Sequence, residues 1–334
     1  MIGSSTNRGH SLECIMADVA IIVNPTAGRG RAIRSIKRLK ATLNQHVIHY
    51  HLETSKDEFD LRSLAGNLAK DYPTLVGAGG DTTLSIIVDQ IIKQKQRGEL
   101  RSLPALGILP LGSSNDIARE FGIKTLEQAC SALQSGNIKK VDVGMLAPID
   151  RIPTYFLGTL SLGLGVTVNK YVEGKVRSHP FLARSDKVYT LWGVRGTFHS
   201  FAANLVPQEA TIYQDVTSHR IKYALAVFSN IKSYAGGQIL ISRAKPDDGA
   251  LDFFSAYATS PFEVLKLFMQ VKQGRYPKTV NTTVGRSFRL NAPHEFEVQV
   301  DGKIMGPYRE ITVSAEPRVL PVLVHPGYYG GHIA

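Results

Sequence analysis

Apolar and polar positions alternate in two different ways along the chain, and the change falls near its middle. Residues 17–23 (ADVAIIV) form a short, β-branched apolar run closed by Asn24-Pro25, the pattern of a buried strand entering a turn. A basic stretch with helical spacing follows over 31–43, then an alternating strand over 47–52 and a helical pattern over 59–70. Residues 74–77 and 105–109 read as further buried strands, 84–95, 115–121 and 126–136 as helices, and 140–143 as a closing strand. Strands that alternate with helices in this way predict βαβ units and a parallel sheet.

Beyond residue 154 strands dominate, over 155–162, 209–216, 221–229, 251–258, 287–290, 295–300 and 311–323. Two helical pieces interrupt them, over 186–203 and 261–273. Pro148 and Pro153 punctuate the changeover. The expected fold class is an α/β N-terminal domain over 17–147, built on a parallel sheet, and a β-rich C-terminal domain over 148–334. A disordered tail is expected over 1–16.

The composition agrees with two ordinary globular domains, with 43% hydrophobic and 20% charged residues in 334. A net charge of +11 favours anionic partners: nucleic acid, a nucleotide, or the anionic face of a membrane. No zinc-finger spacing, RNA-recognition motif or long basic tail supports nucleic acid, which is set aside. Cys14 and Cys130 are too few for a disulfide framework or a four-ligand zinc site, so a reducing compartment is expected. No apolar run reaches the roughly 20 residues of a membrane-spanning helix. The expectation is a soluble, cytoplasmic protein.

Chemistry concentrates where predicted strands end. Three glycine turns, Asn24-Pro25-Thr26-Ala27-Gly28-Arg29-Gly30, Gly77-Ala78-Gly79-Gly80-Asp81-Thr82-Thr83 and Pro110-Leu111-Gly112-Ser113-Ser114-Asn115-Asp116, each follow a strand of the first domain. In a parallel sheet they share the carboxyl edge, where ligands bind. Glycine admits a phosphate close to the backbone, and amides at the following helix start point at it. Thr83, Ser113 and Ser114 add hydroxyl donors, and Asp81 and Asp116 add carboxylates suited to Mg²⁺ or to a hydroxyl proton. Arg29 and Arg31 flank the first turn as candidate phosphate contacts. Neither a P-loop ending in Gly-Lys-Ser/Thr nor a G-x-G-x-x-G fingerprint is present.

These turns resemble the motifs of the diacylglycerol kinase catalytic-domain family and, within it, the YegS-like soluble lipid kinases. Asn24-Pro25-Thr26-Ala27-Gly28 is similar to the family's N-P-x-S/A-G, Gly79-Gly80-Asp81-Thr82-Thr83 to its G-G-D-G-T loop, and the segment 111–119 to its L-G-T-x-N-D-x-A-R. Val141-Asp142-Val143-Gly144 resembles the strand that closes the first domain. In the second half, Gly236-Gly237, the segment 246–252 with Asp247, Asp248 and Asp252, and Val300-Asp301-Gly302 resemble its G-G, D-D-G-x-L-D and D-G-E segments. The likeness spans about residues 17–323.

The resemblance implies a first domain like that of NAD kinases and phosphofructokinases, a C-terminal β-sandwich, and an active site between them. It implies ATP and Mg²⁺ as cofactors and a lipid alcohol as substrate. Nucleotide would be held by Asn24, Pro25, Gly28, Arg29, Gly79, Gly80, Asp81, Thr82, Thr83, Gly112, Ser113, Ser114 and Asn115. Asp116 would join a Mg²⁺-carboxylate network, and Asp247, Asp248 and Asp252 would frame a structural metal.

Three positions depart from the family pattern: Thr82 for the loop glycine, Ile86 for a glutamate, and Lys303 for the glutamate of D-G-E, the family's proton acceptor. A lysine, with its usual pKa of about 10.4, accepts no proton unless that value is strongly depressed. Asp301 lies on the same strand face as Lys303 if the segment is extended. Asp301, Lys303 and Asp142 are therefore the expected catalytic set. A pseudokinase that binds without turnover and an NAD-kinase-like enzyme are the alternatives.

The stretch 170–201 mixes Lys170, Lys175, Arg177, Arg184, Lys187 and Arg195 with Phe181, Tyr189, Trp192 and Phe198. Basic residues among large aromatics suit a membrane interface, so peripheral association with an anionic membrane is expected. The helix over 261–273 reads the same way, and a homodimer stays open.

Overall fold

Parallel strands covered by helices on both faces must be apolar throughout. β1 (Val19–Val23) meets that condition, because Ala20, Ile21, Ile22 and Val23 have no solvent exposure. Burying each of its Ile and Val side chains contributes about 1.5–3 kcal/mol. The computed structural model describes residues 19–202, 208–329 and 332–333; the expected tail and Cys14 lie outside the described residues.

The first half continues through α1 (Ala27–Arg34), α2 (Ile36–Gln45), β2 (Tyr50–Thr54), α3 (Glu58–Asp71), β3 (Thr74–Gly79), α4 (Asp81–Gln96), β4 (Ala105–Pro110), α5 (Asp116–Glu120) and α6 (Leu126–Ser135). Its strands are parallel in the order β2-β1-β3-β4. Asp57 caps α3 by accepting the Asp60 amide at 2.8 Å. The connections after β1, β2, β3 and β4 all emerge on one edge.

The second half comprises β5 (Ile138–Pro148), β6 (Thr154–Phe156), β7 (Thr159–Gly163), α7 (Leu164–Ser178), α8 (Asp186–Ala202), β8 (Gln208–Gln214), β9 (Thr217–Tyr223), β10 (Leu225–Ser229), β11 (Ser233–Tyr234), β12 (Gln238–Ile239), β13 (Leu251–Ala256), α9 (Pro261–Lys272), β14 (Val280–Gly285), β15 (Ser287–Val300) and β16 (Lys303–Leu323). The order β14-β13-β10-β7-β15-β16 is antiparallel between β14 and β16, with β8 and β9 continuing from β15. Phe228, Phe253 and Phe288 pack at its centre with ring centroids 4.8–6.1 Å apart. This half is the expected β-rich, sandwich-like domain.

β5 and β16 join the halves. They pair antiparallel in two stretches separated by a bulge between Glu316 and Leu320. Past the bulge, Val322 pairs with Leu106 of β4. Leu320, Val322 and Val324 enter the core of the first half.

The structure departs from the sequence reading in several places, among them the strand expected over 221–229, which is the two strands β9 and β10. The helix expected over 31–43 is broken at Ser35 into α1 and α2. The strand expected over 155–162 is interrupted at Leu157-Gly158, whose amides turn toward Asp301. The strands expected over 287–290 and 295–300 are one irregular strand, β15. α7 is a helix where none was expected; its Gly165, Gly174 and β-branched residues have poor helical propensity, and packing of Val172 against Ala183 and Trp192 overrides it.

Candidate active site

The three glycine turns touch one another. Gly28, Arg29 and Gly30 take φ values of +59°, +62° and +76°, a left-handed run that costs little at the two glycines and more at Arg29 between them. A Cβ on Gly28 would strike the Leu111 carbonyl oxygen, and one on Gly112 would strike Gly80. Side chains complete the contact. Asn24 Nδ2 donates to Thr83 Oγ1 at 3.0 Å, and Asn24 Oδ1 accepts from the Thr26 amide and hydroxyl at 3.1 and 2.8 Å. Asn115, itself left-handed at φ +53°, closes the third turn by accepting the Gly112 amide at 2.9 Å and donating to the Gly112 carbonyl at 3.1 Å. Ser113 is exposed and Ser114 half-buried at the rim.

Each acidic residue singled out by the motifs has a defined partner set. Asp81, first residue of α4, accepts the amides of Asp116 and Ile117 at 3.1 and 3.0 Å, so it holds the start of α5. Burial, then the nearby Asp116 charge, push its carboxyl up to about 7. Asp116 accepts the amides of Gly236 and Gly237 at 2.8 and 2.5 Å and Arg119 Nη1 at 3.1 Å, tying the third turn to the second half. Asp142 is fully buried and accepts the amides of Gly249 and Arg318 at 2.6 and 2.7 Å, so it pins the bulge of β16. Burial pushes Asp142 up from its ordinary value against those two hydrogen bonds.

Asp301 corrects the extended-strand expectation. It has φ +44° and Gly302 has φ +93°, so the segment turns between β15 and β16, and Asp301 and Lys303 do not share a strand face. The buried Asp301 carboxylate accepts the amides of Leu157 at 3.0 Å, Gly158 at 3.1 Å and Thr159 at 2.6 Å, together with the Ser85 hydroxyl. Burial raises its pKa and these hydrogen bonds oppose the shift. All four partners are donors, which suits the ionised form.

Between the halves lies a cleft of about 590 Å³ whose walls include Glu58 and Thr82 from the first half and Lys170, Arg177, Gly302 and Lys303 from the second. Lys303 Nζ is paired with Glu58 Oε1. The Thr82 hydroxyl reaches the turn at 301–302, and Ile86 is buried in the core. Arg29 and Arg31 cross to the second half. The Arg29 side chain, 7% exposed, donates to the carbonyl of Ala183 at 2.7 Å, pairs with Asp186, and lies 4.3 Å from the Tyr189 ring centroid. Arg31 Nη2 contacts Asp186 Oδ1 at 2.7 Å.

Comparison with known proteins matches this division of the chain. Residues 18–146 match the family model described as diacylglycerol kinase catalytic domain, and residues 160–324 the YegS C-terminal NAD kinase beta sandwich-like domain. The chain belongs to the diacylglycerol kinase catalytic-domain family. A diacylglycerol kinase of Mycobacterium tuberculosis (strain H37Rv) is 27% identical over 317 residues, covering 91% of this chain and 94% of that protein. One of Bacillus subtilis (strain 168) is 23% identical, covering 89% and 96%. The crystal structure of a diacylglycerol kinase from Bacillus anthracis has the same fold, with a TM-score of 0.67 at 19% identity over 93% of this chain and 97% of that one.

Two features of this family member escaped the sequence reading. Glu58 sits at the carboxyl edge of the sheet because α3 follows β2 just as α4 follows β3; that shared edge was the available signal. Asp89, buried on α4, accepts Arg62 Nη1 at 2.7 Å and the Tyr155 amide at 3.0 Å and joins the two halves. The carboxylates expected to frame a structural metal do not converge. Asp252 pairs with Arg243 at 2.7 Å, Asp247 with Lys139 at 2.8 Å, and Asp248 accepts the Ala250 amide at 3.2 Å. Among the described residues no group of three His, Cys, Asp or Glu side chains is disposed to hold a metal ion. These three therefore do not fit a metal site in this arrangement.

Proposed function

We propose that this protein is a lipid kinase that transfers the γ-phosphoryl group of ATP to the hydroxyl of a lipid alcohol. The observation that carries the reading is the mutual packing of three glycine turns on one sheet edge beside the inter-domain cleft, in a chain of this family. Such turns suit a polyphosphate, because backbone amides and small side chains let it approach closely. Phosphoryl transfer asks mainly for positioning and charge neutralisation. Mg²⁺ accompanying the nucleotide would neutralise phosphate charge; Asp81, pushed up to about 7 by burial and then by the nearby Asp116, stands with Asp116 as a pair of adjacent carboxylates whose excess negative charge such a cation would relieve. The names of the relatives, diacylglycerol kinase, support a lipid alcohol as acceptor.

Access to that acceptor is read from the outer faces of α8 and α9. Leu191, Val194 and Phe198 are exposed on one, Phe262, Leu265 and Met269 on the other, and the rings of Phe198 and Phe262 meet at 5.6 Å. Exposed Lys187, Arg195 and Lys266 lie on the same helices. An apolar patch rimmed by cations suits the surface of an anionic bilayer. No helix among the described residues is long and apolar enough to cross a membrane.

A second reading, a pseudokinase that binds nucleotide or lipid without turnover, is favoured by Lys303 standing at the acceptor position and paired with Glu58. ATP consumption with Mg²⁺ against lipid alcohols in mixed micelles, for the unaltered protein and Lys303→Glu, separates the two. Lipid-dependent turnover by the unaltered protein supports the kinase. Turnover only in Lys303→Glu supports the pseudokinase.

A further inference from the structure

Four of the motif carboxylates, Asp81, Asp116, Asp142 and Asp301, are engaged by main-chain amides at both oxygens. Glu58 differs. It opens α3 at the same sheet edge as the glycine turns and lines the cleft together with Thr82, Gly302 and Lys303. Cationic donors converge on one of its oxygens only. Lys303 Nζ reaches Oε1, as do Arg62 Nε at 3.2 Å and Arg62 Nη2 at 3.1 Å. Arg62 is itself fixed from behind by the buried carboxylate of Asp89. Among the described residues Oε2 accepts no hydrogen bond.

We propose that Glu58, through Oε2, is the proton acceptor for the lipid hydroxyl, with Arg62 and Lys303 as positioning residues. This rests on the kinase reading above. The lipid oxygen attacks the γ-phosphorus of ATP, and the bond from that phosphorus to the β,γ-bridging oxygen breaks, its electron pair leaving on ADP. The hydroxyl proton passes to Oε2 and then to water, so the products are lipid phosphate, ADP and a regenerated carboxylate. Burial works to raise the Glu58 carboxyl, but the hydrogen bond and charge of Lys303, with those of Arg62, hold it below its ordinary value. It is thus ionised at neutral pH, and a loose transition state asks little basicity of it. Lys303 does not accept the proton here; it turns a carboxylate from α3 toward the place its own position no longer supplies.

The test is ATP consumption with Mg²⁺ and dioleoylglycerol or dioleoyl-phosphatidylglycerol in mixed micelles, using the full chain. The unaltered protein is expected to turn over. Glu58→Gln is expected to lose about 100-fold in kcat at unchanged KM for ATP and unchanged Tm. Adding Lys303→Glu to that variant is expected to regain at least about ten-fold, by returning a carboxylate to the cleft from the other wall. If the unaltered protein is active and Glu58→Gln keeps more than about a third of its turnover, the assignment falls while the kinase reading stands. A loss accompanied by a lower Tm, with no recovery in the double variant, would mean that Glu58 only ties α3 to the turn at 301–303, and overturns it. If the unaltered protein has no lipid-dependent turnover, the kinase reading fails and takes the assignment with it.

Discussion

The Thr82 hydroxyl donates to the main-chain carbonyl of Asp301 at 2.6 Å, and a Cβ built on Gly302 would lie 2.6 Å from that same hydroxyl. The threonine that stands in place of a loop glycine is therefore fitted to the turn across the cleft. Gly302→Ala adds this clash to a left-handed φ of +93° and is expected to cost about 1–3 kcal/mol. In a Thr82→Gly background the clash disappears while the backbone strain stays, so the same substitution should cost about 1 kcal/mol less. Urea denaturation of the four proteins measures the coupling, and equal costs in both backgrounds would refute it.

The clasp between Arg29, Arg31 and Asp186 should respond to acid. The Arg29 hydrogen bond, helped by both arginine charges, holds the Asp186 carboxyl below its ordinary value. A depressed carboxyl contributes stability above its unfolded pKa of about 4 and loses it as pH falls through the folded value. Asp186→Asn should therefore melt below the unaltered protein at pH 7, with the gap narrowing at pH 3. Asp186 is largely exposed, so the effect is modest. A gap of the same size at both pH values would exclude an electrostatic clasp.

Asp247 and Asp252 already have cationic neighbours in Lys139 and Arg243. Adding EDTA is accordingly expected to move Tm by no more than about 1 °C, since these carboxylates are already paired within the chain. Arg243→Ala leaves Asp252 buried without its partner, which should cost about 1–3 kcal/mol once the exposure of Arg243 is discounted. A fall of several degrees with EDTA alone would show that a divalent ion does organise these carboxylates.

If the α8–α9 face meets a bilayer, its apolar residues are separable from the cleft. Phe198→Ser with Phe262→Ser should cut sedimentation with phosphatidylglycerol vesicles by about ten-fold, while Tm changes little because both side chains are exposed. Unchanged sedimentation would assign lipid access to another surface.

Local chemistry made part of this readable. An apolar run ending in glycine and small hydroxyl residues signals a ligand-binding strand end wherever it occurs, so the three turns and their place on one sheet edge were within reach. Partnerships across the fold left no such mark. Nothing local to Asp186 indicates Arg29, and nothing local to Glu58 indicates Lys303, 245 residues later. Backbone reversal was equally hidden, because Val300, Asp301 and Gly302 read as a strand until Asp301 turns left-handed to meet three amides. α7 shows the opposite failure, a helix made by tertiary packing from residues that argue against one.

The return of β16 to the first half bears on how the chain must be made. Leu320, Val322 and Val324 lie in a core otherwise formed by residues from Ala20 to Ile231. A nascent chain that has emerged only as far as Glu316 thus carries nearly every part of its first-half sheet, yet leaves Leu106 of β4 without Val322, its neighbour on β16. That bare edge is a template for pairing with another chain. The strand that seals the first domain is thus made long after the rest of that domain, and the interval before it arrives is when the first domain is most exposed to aggregation and to chaperones.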